Sequence, residues 1–275
     1  MSDYDAEAFD AFEAAGWATK DVGAYDSLAG RVTARLAEPL LSAVGAGAGT
    51  RILDVATGPG YVAARAAELG ADAVGLDFSE PMVVFARVRA PEVEFVHGDA
   101  TRLPFPDGSF DAAVGACVLL HLGSPERAVA EAARVLKRGG GAAFTVWDVP
   151  SRGRWLGVLL DAVADIGAAP PADVPPGPPL FRFADESEFR RLLGDAGLVE
   201  VRVDTIDFTL ALESADELWD GLVAGTVRVR PLVAAQTDAV QAAIRARFDE
   251  LLAEYRGDDG YEVPVAVKLG SGRKP

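Results

Sequence analysis

One short segment constrains the fold of this chain more than any other: an apolar run that leads into a turn with two glycines. The run is Ile52-Leu53-Asp54-Val55, and Gly58 and Gly60 follow it before a helical stretch. Glycine has no Cβ, so both positions can adopt backbone angles closed to other residues and let a ligand lie against the main chain. Asp54, at the end of the run, places a carboxylate where a cationic group could be held.

The pattern that follows Arg51 alternates between strand-like and helix-like segments. Strands are predicted at Ile52–Val55, Ala73–Leu76, Val93–Val96, Phe110–Ala116 and Ala142–Val146, helices at Tyr61–Leu69, Glu80–Val88 and Pro125–Leu136, and a turn at Lys137–Gly141. This alternation is typical of a parallel sheet covered by helices on both faces, and it predicts an α/β fold.

Three regions are predicted along the chain. Residues 1–49 are expected to form a helical cap, residues 50–148 a ligand-binding core, and residues 149–275 the remainder of the sheet. Within the last region, the proline-rich segment 150–183 is predicted as a loop, either a plain surface linker or a cover over a substrate. The pattern ends with a helix at Asp185–Ala196, strands at Val199–Leu210 and Val263–Leu269, and inserted helices within 214–256.

Composition excludes several classes of function. The 42 acidic and 26 basic residues leave a formal net charge of −16, which repels nucleic acid and anionic lipid. The single cysteine, Cys117, rules out an intramolecular disulfide, and the start Met1-Ser2-Asp3-Tyr4-Asp5 lacks the regions of a signal peptide. No apolar run approaches the roughly 20 residues of a membrane span. We expect a cytoplasmic protein without nucleic-acid or membrane partners, and the sequence leaves open whether it forms a homodimer.

Acidic residues after the second and third predicted strands point to the crevice where open α/β sheets bind their ligands. Asp77 lies about 20 residues beyond the glycines, where a carboxylate can accept both hydroxyls of a ribose, and Asp99 is placed to meet an adenine amino group. Alternatively, Asp77 caps the next helix and Asp99 forms a turn. The G-x-G-x-x-G pattern of dinucleotide folds is incomplete because Ala63 replaces its third glycine, so nothing requires a pyrophosphate.

Several short motifs follow one another in a specific order between Thr50 and Asp148. They are Asp54-Val55-Ala56-Thr57-Gly58-Pro59-Gly60, Gly75-Leu76-Asp77-Phe78-Ser79, Gly98-Asp99-Ala100, Leu103-Pro104-Phe105-Pro106-Asp107-Gly108-Ser109-Phe110-Asp111 and Arg134-Val135-Leu136-Lys137-Arg138-Gly139-Gly140. This series resembles the class I S-adenosylmethionine-dependent methyltransferases, and within them the ubiquinone/menaquinone-methylase-like branch (methyltransferase type 11). The resemblance implies a Rossmann-like, seven-stranded, mostly parallel sheet with helices on both faces, an antiparallel final strand and a helical cap.

The resemblance also implies that residues 50–148 bind S-adenosylmethionine, whose ammonium and sulfonium groups suit the acidic turn better than a phosphate would. Gly58 and Gly60 would lie beneath the methionine part, with Asp54 and the Ala56 carbonyl near its ammonium group. Arg31 is expected either to meet the methionine carboxylate or to lie in solvent.

The remaining cofactor contacts implied by the resemblance surround the ribose, the adenine and the sulfonium. They are Asp77 for the ribose, Phe78 and Met82 for the adenine faces, Asp99 and Ala100 for its polar edge, Cys117 and Val118 for the floor near the sulfonium, and Trp17 and Tyr25 as closing aromatics.

Methyl transfer needs alignment in a dry pocket more than it needs catalytic side chains, although an acidic acceptor requires a base. His121, where the fourth strand opens into the crevice, is the first candidate for this base, against a structural hydrogen bond to backbone. Asp148, after the fifth strand, is a second candidate, whereas His97 is expected to serve packing or a turn. Cys117 has no cationic neighbour in sequence and is not expected to act as a nucleophile. The sequence shows no metal-ligand spacing, so no metal is predicted.

The predicted function is methylation of a small, hydrophobic or aromatic molecule on oxygen, nitrogen or carbon, in biosynthesis of the specialised type. The alternative is an S-adenosylmethionine-binding protein of the same fold that performs non-methylating chemistry such as cyclisation. A third hypothesis is a nicotinamide-dependent oxidoreductase, and the absence of the third glycine of the G-x-G-x-x-G motif argues against it.

Overall fold

A sheet of eight strands forms the centre of the protein, whose computed structural model describes residues 4–275. The strands are β1 (Arg51–Val55), β2 (Asp72–Asp77), β3 (Glu94–His97), β4 (Phe110–Ala116), β5 (Leu136–Trp147), β6 (Val199–Leu212), β7 (Arg256–Gly257) and β8 (Gly260–Arg273). Residues 1–3, which the expected cap included, lie outside the described residues.

The strand order is β3-β2-β1-β4-β5-β8-β6, and the two-residue β7 pairs with β8. Strands β1 to β5 are parallel to one another, whereas β8 runs antiparallel to both β5 and β6. This topology confirms the predicted mostly parallel sheet with an antiparallel final strand, and β7 is an addition to the seven predicted strands. The order reverses between β1 and β4, so the ligand crevice of such a sheet lies at their carboxyl ends.

The helices lie before, between and after these strands. They are α1 (Ala6–Ala18), α2 (Val22–Tyr25), a π-helical turn (Asp26–Gly30), α3 (Arg31–Ala34), α4 (Ala37–Val44), α5 (Tyr61–Glu68), α6 (Glu80–Arg89), α7 (Pro125–Val135), α8 (Arg154–Ile166), α9 (Glu186–Asp195), α10 (Ala215–Gly225), α11 (Arg230–Ala234) and α12 (Asp238–Leu252). Short 3₁₀ turns occupy Leu119–His121, Arg182–Ala184 and Ala253–Tyr255.

Each face of the sheet has its own apolar core because successive side chains of a strand point to opposite faces. On β1, Ile52 packs into the core with helices α4, α5, α8 and α12, whereas Leu53 and Val55 pack into the core with α7 and α9. Side-chain caps help to start the helices: Asp5 accepts hydrogen bonds from two backbone N–H groups at the beginning of α1.

The structure corrects two details of the sequence analysis. The segment 150–183 is not a loop throughout, because its first half forms the 13-residue helix α8. The prolines that favoured a loop all lie outside this helix, and its apolar residues recur at helical spacing from Trp155 through Leu159 to Val163. The predicted turn 137–141 is the start of β5, which extends from Leu136.

No helix within residues 4–275 is long and apolar enough to cross a membrane.

We expect the packing of α8 to contribute measurably to stability. Leu159 is fully buried, so Leu159→Ala should lower the free energy of unfolding by about 2–5 kcal/mol through lost burial and a cavity. Ile166, on the same helix and 38% exposed, provides the control, since Ile166→Ala should cost less than about 1 kcal/mol. Urea unfolding followed by circular dichroism measures both. Equal and small losses for the two variants would contradict the packed helix.

Candidate active site

A cavity opens beyond the carboxyl ends of β1, β2, β4 and β5, at the reversal of strand order. Most of the residues predicted to form the site line it. They are Trp17, Tyr25, Ala56, Gly58, Asp77, Phe78, Met82, Ala100, Cys117, Val118 and His121. The structure therefore brings together residues from the cap, from the ends of four strands (β1 to β4) and from helix α6.

The turn after β1 presents bare backbone to this cavity. Ala56, Gly58 and Gly60 all have positive φ, at 56°, 52° and 86°. A Cβ added to Gly58 would meet nothing within 4 Å, whereas one added to Gly60 would lie 3.0 Å from the side chains of Ala86 and Phe95. Gly58 thus leaves space for a ligand, while Gly60 is required by packing and does not line the cavity.

Asp54 supports the turn from below rather than facing the cavity. Its Oδ2 accepts hydrogen bonds from the Thr57 hydroxyl at 2.5 Å and from the Ala63 N–H at 3.1 Å. Burial raises the pKa of this carboxyl to about 7. Its Oδ1 is buried and has no hydrogen-bond partner within the described residues, so an acceptor remains beneath the turn where the ammonium group of the implied cofactor is expected.

Asp77 lines the cavity and bridges two strand ends. Its Oδ2 accepts from the Gly58 N–H at 2.8 Å, and its Oδ1 accepts from the Ser79 N–H at 2.9 Å. Burial raises the pKa of Asp77. Each carboxylate oxygen can accept a second hydrogen bond, so this side chain can hold both hydroxyls of a ribose while it also holds the turn. The residues present therefore fit the adenosyl part of S-adenosylmethionine.

At the adenine end of the predicted site, Asp99 differs from the other predicted contacts because it does not line the cavity. Phe78, Met82 and Ala100 line the cavity. Asp99 is exposed, and its carboxylate accepts hydrogen bonds from the backbone and hydroxyl of Thr101. This is the turn-forming role that the sequence analysis kept as an alternative.

The cap places two aromatic side chains at the cavity. Trp17, from α1, and Tyr25, from α2, meet edge to face with ring centroids 5.5 Å apart. The Ser79 hydroxyl donates a hydrogen bond to the Trp17 carbonyl at 3.1 Å, which ties the end of α1 to the end of β2. The arrangement fits the predicted closing role of these aromatics.

Cys117 and Val118 line the cavity just after β4. Cys117 has a positive φ of 52°, and burial raises the pKa of its thiol to about 12. A thiol held in its protonated form is a poor nucleophile, in agreement with the sequence analysis.

His121 has a partner that the sequence analysis missed. Its Nδ1 lies 3.0 Å from Oε2 of Glu13, and the Trp17 indole N–H donates to the same oxygen at 2.8 Å. Glu13 is 1% exposed, and its Oε1 has no hydrogen-bond partner within residues 4–275. A sequence signal did exist, because Phe9, Glu13 and Trp17 recur every four residues and so share one face of α1.

Three other candidates lie elsewhere. The side chain of Trp147 faces the cavity, so strand alternation directs the next residue, Asp148, to the opposite face. There the Asp148 Oδ2 lies 3.7 Å from the Lys268 ammonium and 3.5 Å from the Arg152 Nε. Its predicted catalytic role therefore has no geometric support. Arg31 pairs with Glu217 at the surface, and the His97 Nε2 lies 2.7 Å from the Phe78 carbonyl oxygen.

The far wall of the cavity is mostly apolar. Trp155 and Leu156 of α8 and Val229 contribute to it. Arg228 lines the same wall and donates to the carbonyls of Leu120 and Pro178, each at 2.8 Å. Burial lowers the pKa of Arg228. Nothing in the local sequence of Arg228 marks it as a site residue, because it lies in the short segment between α10 and α11, far along the chain from the cofactor motifs.

Comparisons with known proteins agree with this geometry. Residues 53–144 match the family described as "Methyltransferase domain". A demethylmenaquinone methyltransferase of Renibacterium salmoninarum is 34% identical over 177 residues, which are 62% of this chain and 75% of that relative. Four further demethylmenaquinone methyltransferases match over 46 to 64% of their own length.

Two solved structures show the same fold. The "4+2" cyclase SpnF superposes with a TM-score of 0.54 and 25% identity, over 88% of this chain and 80% of that chain. A phosphoethanolamine N-methyltransferase of Haemonchus contortus, solved with S-adenosylhomocysteine, superposes with a TM-score of 0.53 and 19% identity, over 88% of this chain and 52% of that chain.

We expect Asp77→Ala to weaken binding of S-adenosylmethionine by about 10- to 100-fold, since it removes hydrogen bonds to a charged group worth roughly 1.5–3 kcal/mol. Isothermal titration calorimetry measures the affinity. Asp72→Ala is the matched control, because Asp72 is an exposed residue on the same strand. Unchanged affinity in Asp77→Ala would refute the ribose contact.

Substitution by alanine should have different effects on cofactor affinity and thermal stability at Gly58 and at Gly60. Gly58→Ala should fold with a strain of about 1–2 kcal/mol and bind S-adenosylmethionine at least about 10-fold more weakly, because its methyl group occupies cavity space. Gly60→Ala should unfold at a lower temperature than Gly58→Ala, because its methyl group also collides with packed side chains. Thermal melting and calorimetry separate the two effects, and the opposite ranking in melting temperature would contradict this division.

Proposed function

Because this chain belongs to the class I S-adenosylmethionine-dependent methyltransferases of the menaquinone-methylase type and uses S-adenosylmethionine as its cofactor, we propose that it methylates a small, largely apolar aromatic acceptor bearing a ring hydroxyl. The relatives named demethylmenaquinone methyltransferases support an acceptor of the naphthohydroquinone type.

The observation that carries this proposal is the composition of the cavity wall beyond the cofactor side. Trp147, Trp155 and Leu156 offer broad apolar surfaces, and the ring centroids of the two tryptophans lie 4.8 Å apart, edge to face. Only His121 and Arg228 bring ionisable groups to this wall within the described residues. Such a lining favours a flat apolar ring over a charged or peptide substrate, and the two polar groups can orient its oxygen.

Methyl transfer requires that the acceptor atom be aligned with the methyl group and that water be excluded from the cavity. When bound, S-adenosylmethionine supplies an electrophilic methyl group on a sulfonium. The apolar wall and the aromatics of the cap exclude water, and Cys117 and Val118 line the cavity where the sulfonium is expected. A hydroxyl on an aromatic ring becomes a better nucleophile, at oxygen or at the adjacent ring carbon, once its proton is removed, and His121 lies at the cavity to accept it.

We expect the purified chain to convert naphthohydroquinone or α-naphthol to a product heavier by one CH2 group. The assay uses S-adenosylmethionine with a deuterated methyl group, and mass spectrometry follows the label into the product. Aliphatic amines and peptides serve as comparison acceptors and should remain unlabelled, because an apolar wall does not compensate for the desolvation of their charges. Labelled peptides with unlabelled naphthols would contradict the proposal.

The same assay tests the alternative of cyclisation, which the likeness to SpnF favours. A polyunsaturated acceptor that rearranges without change of mass, while calorimetry shows S-adenosylmethionine bound, would replace methyl transfer by a non-methylating reaction in this cavity.

A further inference from the structure

We propose that Glu13 is a positioning residue that holds His121 with its proton on Nδ1, so that Nε2 faces the cavity as the base for the acceptor hydroxyl. The inference deepens the proposed function and rests on it for the identity of the acceptor. Glu13 belongs to helix α1 of the cap and His121 to the turn after β4, so this pair exists only when the cap is in place.

One carboxylate oxygen of Glu13 is shared by Trp17 and His121. Oε2 of Glu13 receives the indole N–H of Trp17, which can only donate, so this oxygen acts as an acceptor. The His121 Nδ1 approaches the same oxygen at 3.0 Å, a distance at which an N–H is expected to donate. The proton of a neutral imidazole is thereby assigned to Nδ1, and its lone pair to Nε2.

The second ring nitrogen of His121, Nε2, is available to the acceptor. Within residues 4–275 no hydrogen-bond partner reaches Nε2 of His121, and the ring lines the cavity. Trp17 meets the imidazole edge to face, with centroids 5.3 Å apart, and so restricts its rotation. A base held in one tautomer and one orientation, with its lone pair toward the acceptor, has the geometry that proton removal requires.

The charged groups around His121 and the acceptor also favour this proton transfer. Glu13 is buried, and within the described residues its carboxylate meets only the indole and the imidazole at hydrogen-bond distance. Asp77, at the end of β2, also attracts a positive charge on His121. Arg228, in the segment between α10 and α11, lines the cavity, and the charge of Glu13 favours its charged form. The two carboxylates favour the imidazolium that forms, and the guanidinium favours the oxyanion.

The reaction balances without a further reagent. The acceptor hydroxyl loses its proton to Nε2 of His121, and an electron pair of the resulting oxyanion, at oxygen or at the conjugated ring carbon, forms the bond to the methyl carbon. The electron pair of the broken carbon–sulfur bond stays on sulfur, which becomes a neutral thioether. The imidazolium then releases its proton to solvent, and a ring carbon that was methylated loses its hydrogen as a proton to restore the aromatic ring.

A purely structural role for Glu13 is the rival explanation. In that case Glu13 would serve to fasten Trp17, and its loss would weaken cofactor binding and stability together, without regard to the acidity of the acceptor. The rival therefore predicts different results in two measurements.

The first measurement needs no acceptor. The chain has two histidines, His97 and His121, so ¹⁵N NMR of histidine-labelled protein resolves both rings, and a His97→Gln variant assigns them. Spectra at alkaline pH should show His121 with its proton on Nδ1. Glu13→Gln, whose amide oxygen can still accept from both donors, should keep this tautomer, and Glu13→Leu should lose it. A wild-type proton on Nε2, or an unchanged tautomer in Glu13→Leu, would overturn the proposal.

The second measurement compares two acceptors. With α-naphthol, whose hydroxyl is protonated near neutral pH, kcat should fall at least about 100-fold in Glu13→Leu and less in Glu13→Gln. With para-nitro-α-naphthol, which is already ionised, the loss should stay below about 5-fold because no base is needed. Equal losses on both acceptors, together with a weaker affinity for S-adenosylmethionine, would establish the structural role instead.

The control is Glu7→Leu, an exposed position on the same helix, which should leave both measurements unchanged. If the wild-type chain shows the expected tautomer and methylates neither naphthol, the proposed acceptor class fails, and the positioning of His121 by Glu13 is still judged by the NMR result.

Discussion

The turn between β1 and α5 is held by two buried carboxylates, and the whole cavity depends on it. Asp54 binds the turn from below through Thr57 and Ala63, and Asp77 binds it from the side through Gly58. Burial, together with the neighbouring Asp77 carboxylate, raises the pKa of Asp54 to about 7, and a cation bound in this pocket would favour the charged forms of both carboxylates. Such a pocket opposes a pyrophosphate and favours a ligand with an ammonium and a sulfonium, which argues against a nicotinamide cofactor.

The cap completes this pocket through specific polar contacts. The Tyr4 hydroxyl donates to the Gly123 carbonyl at 3.1 Å, and the Gly123 N–H donates to Asp10 at 2.6 Å. A Cβ at Gly123 would lie 2.4 Å from the Ala6 carbonyl oxygen, so α1 can approach the loop after β4 only because that residue is glycine. Helix α1 is thus joined to the end of β4, while Ser79 joins it to the end of β2, and this attachment brings Glu13 to His121.

Local patterns predicted much of the fold and the cofactor side, because strand alternation and turn glycines are properties of neighbouring residues. The mostly parallel sheet and the lining by Gly58, Asp77 and His121 were predicted in this way, whereas the order of the strands was not. Helix α8 was missed because prolines beyond its end outweighed its own helical spacing, and Asp148 was misplaced because alternation after Trp147 was not applied. The contact of Glu13 with His121 spans 108 positions, and no short-range rule predicts such a pairing.

The cofactor side and the acceptor side of the cavity are coupled electrostatically, because the proposed reaction moves one positive charge from the first to the second. Before transfer, the bound cofactor would carry the positive charge on its sulfonium. When His121 takes the acceptor proton and the sulfur becomes neutral, the positive charge has moved to the imidazole, which Asp77 attracts and which Glu13 contacts at 3.0 Å. The net charge within the cavity does not change, so the fixed carboxylates of Glu13 and Asp77 need not reorganise when the imidazolium forms. The apolar wall around them limits screening by water and thereby keeps their effect large.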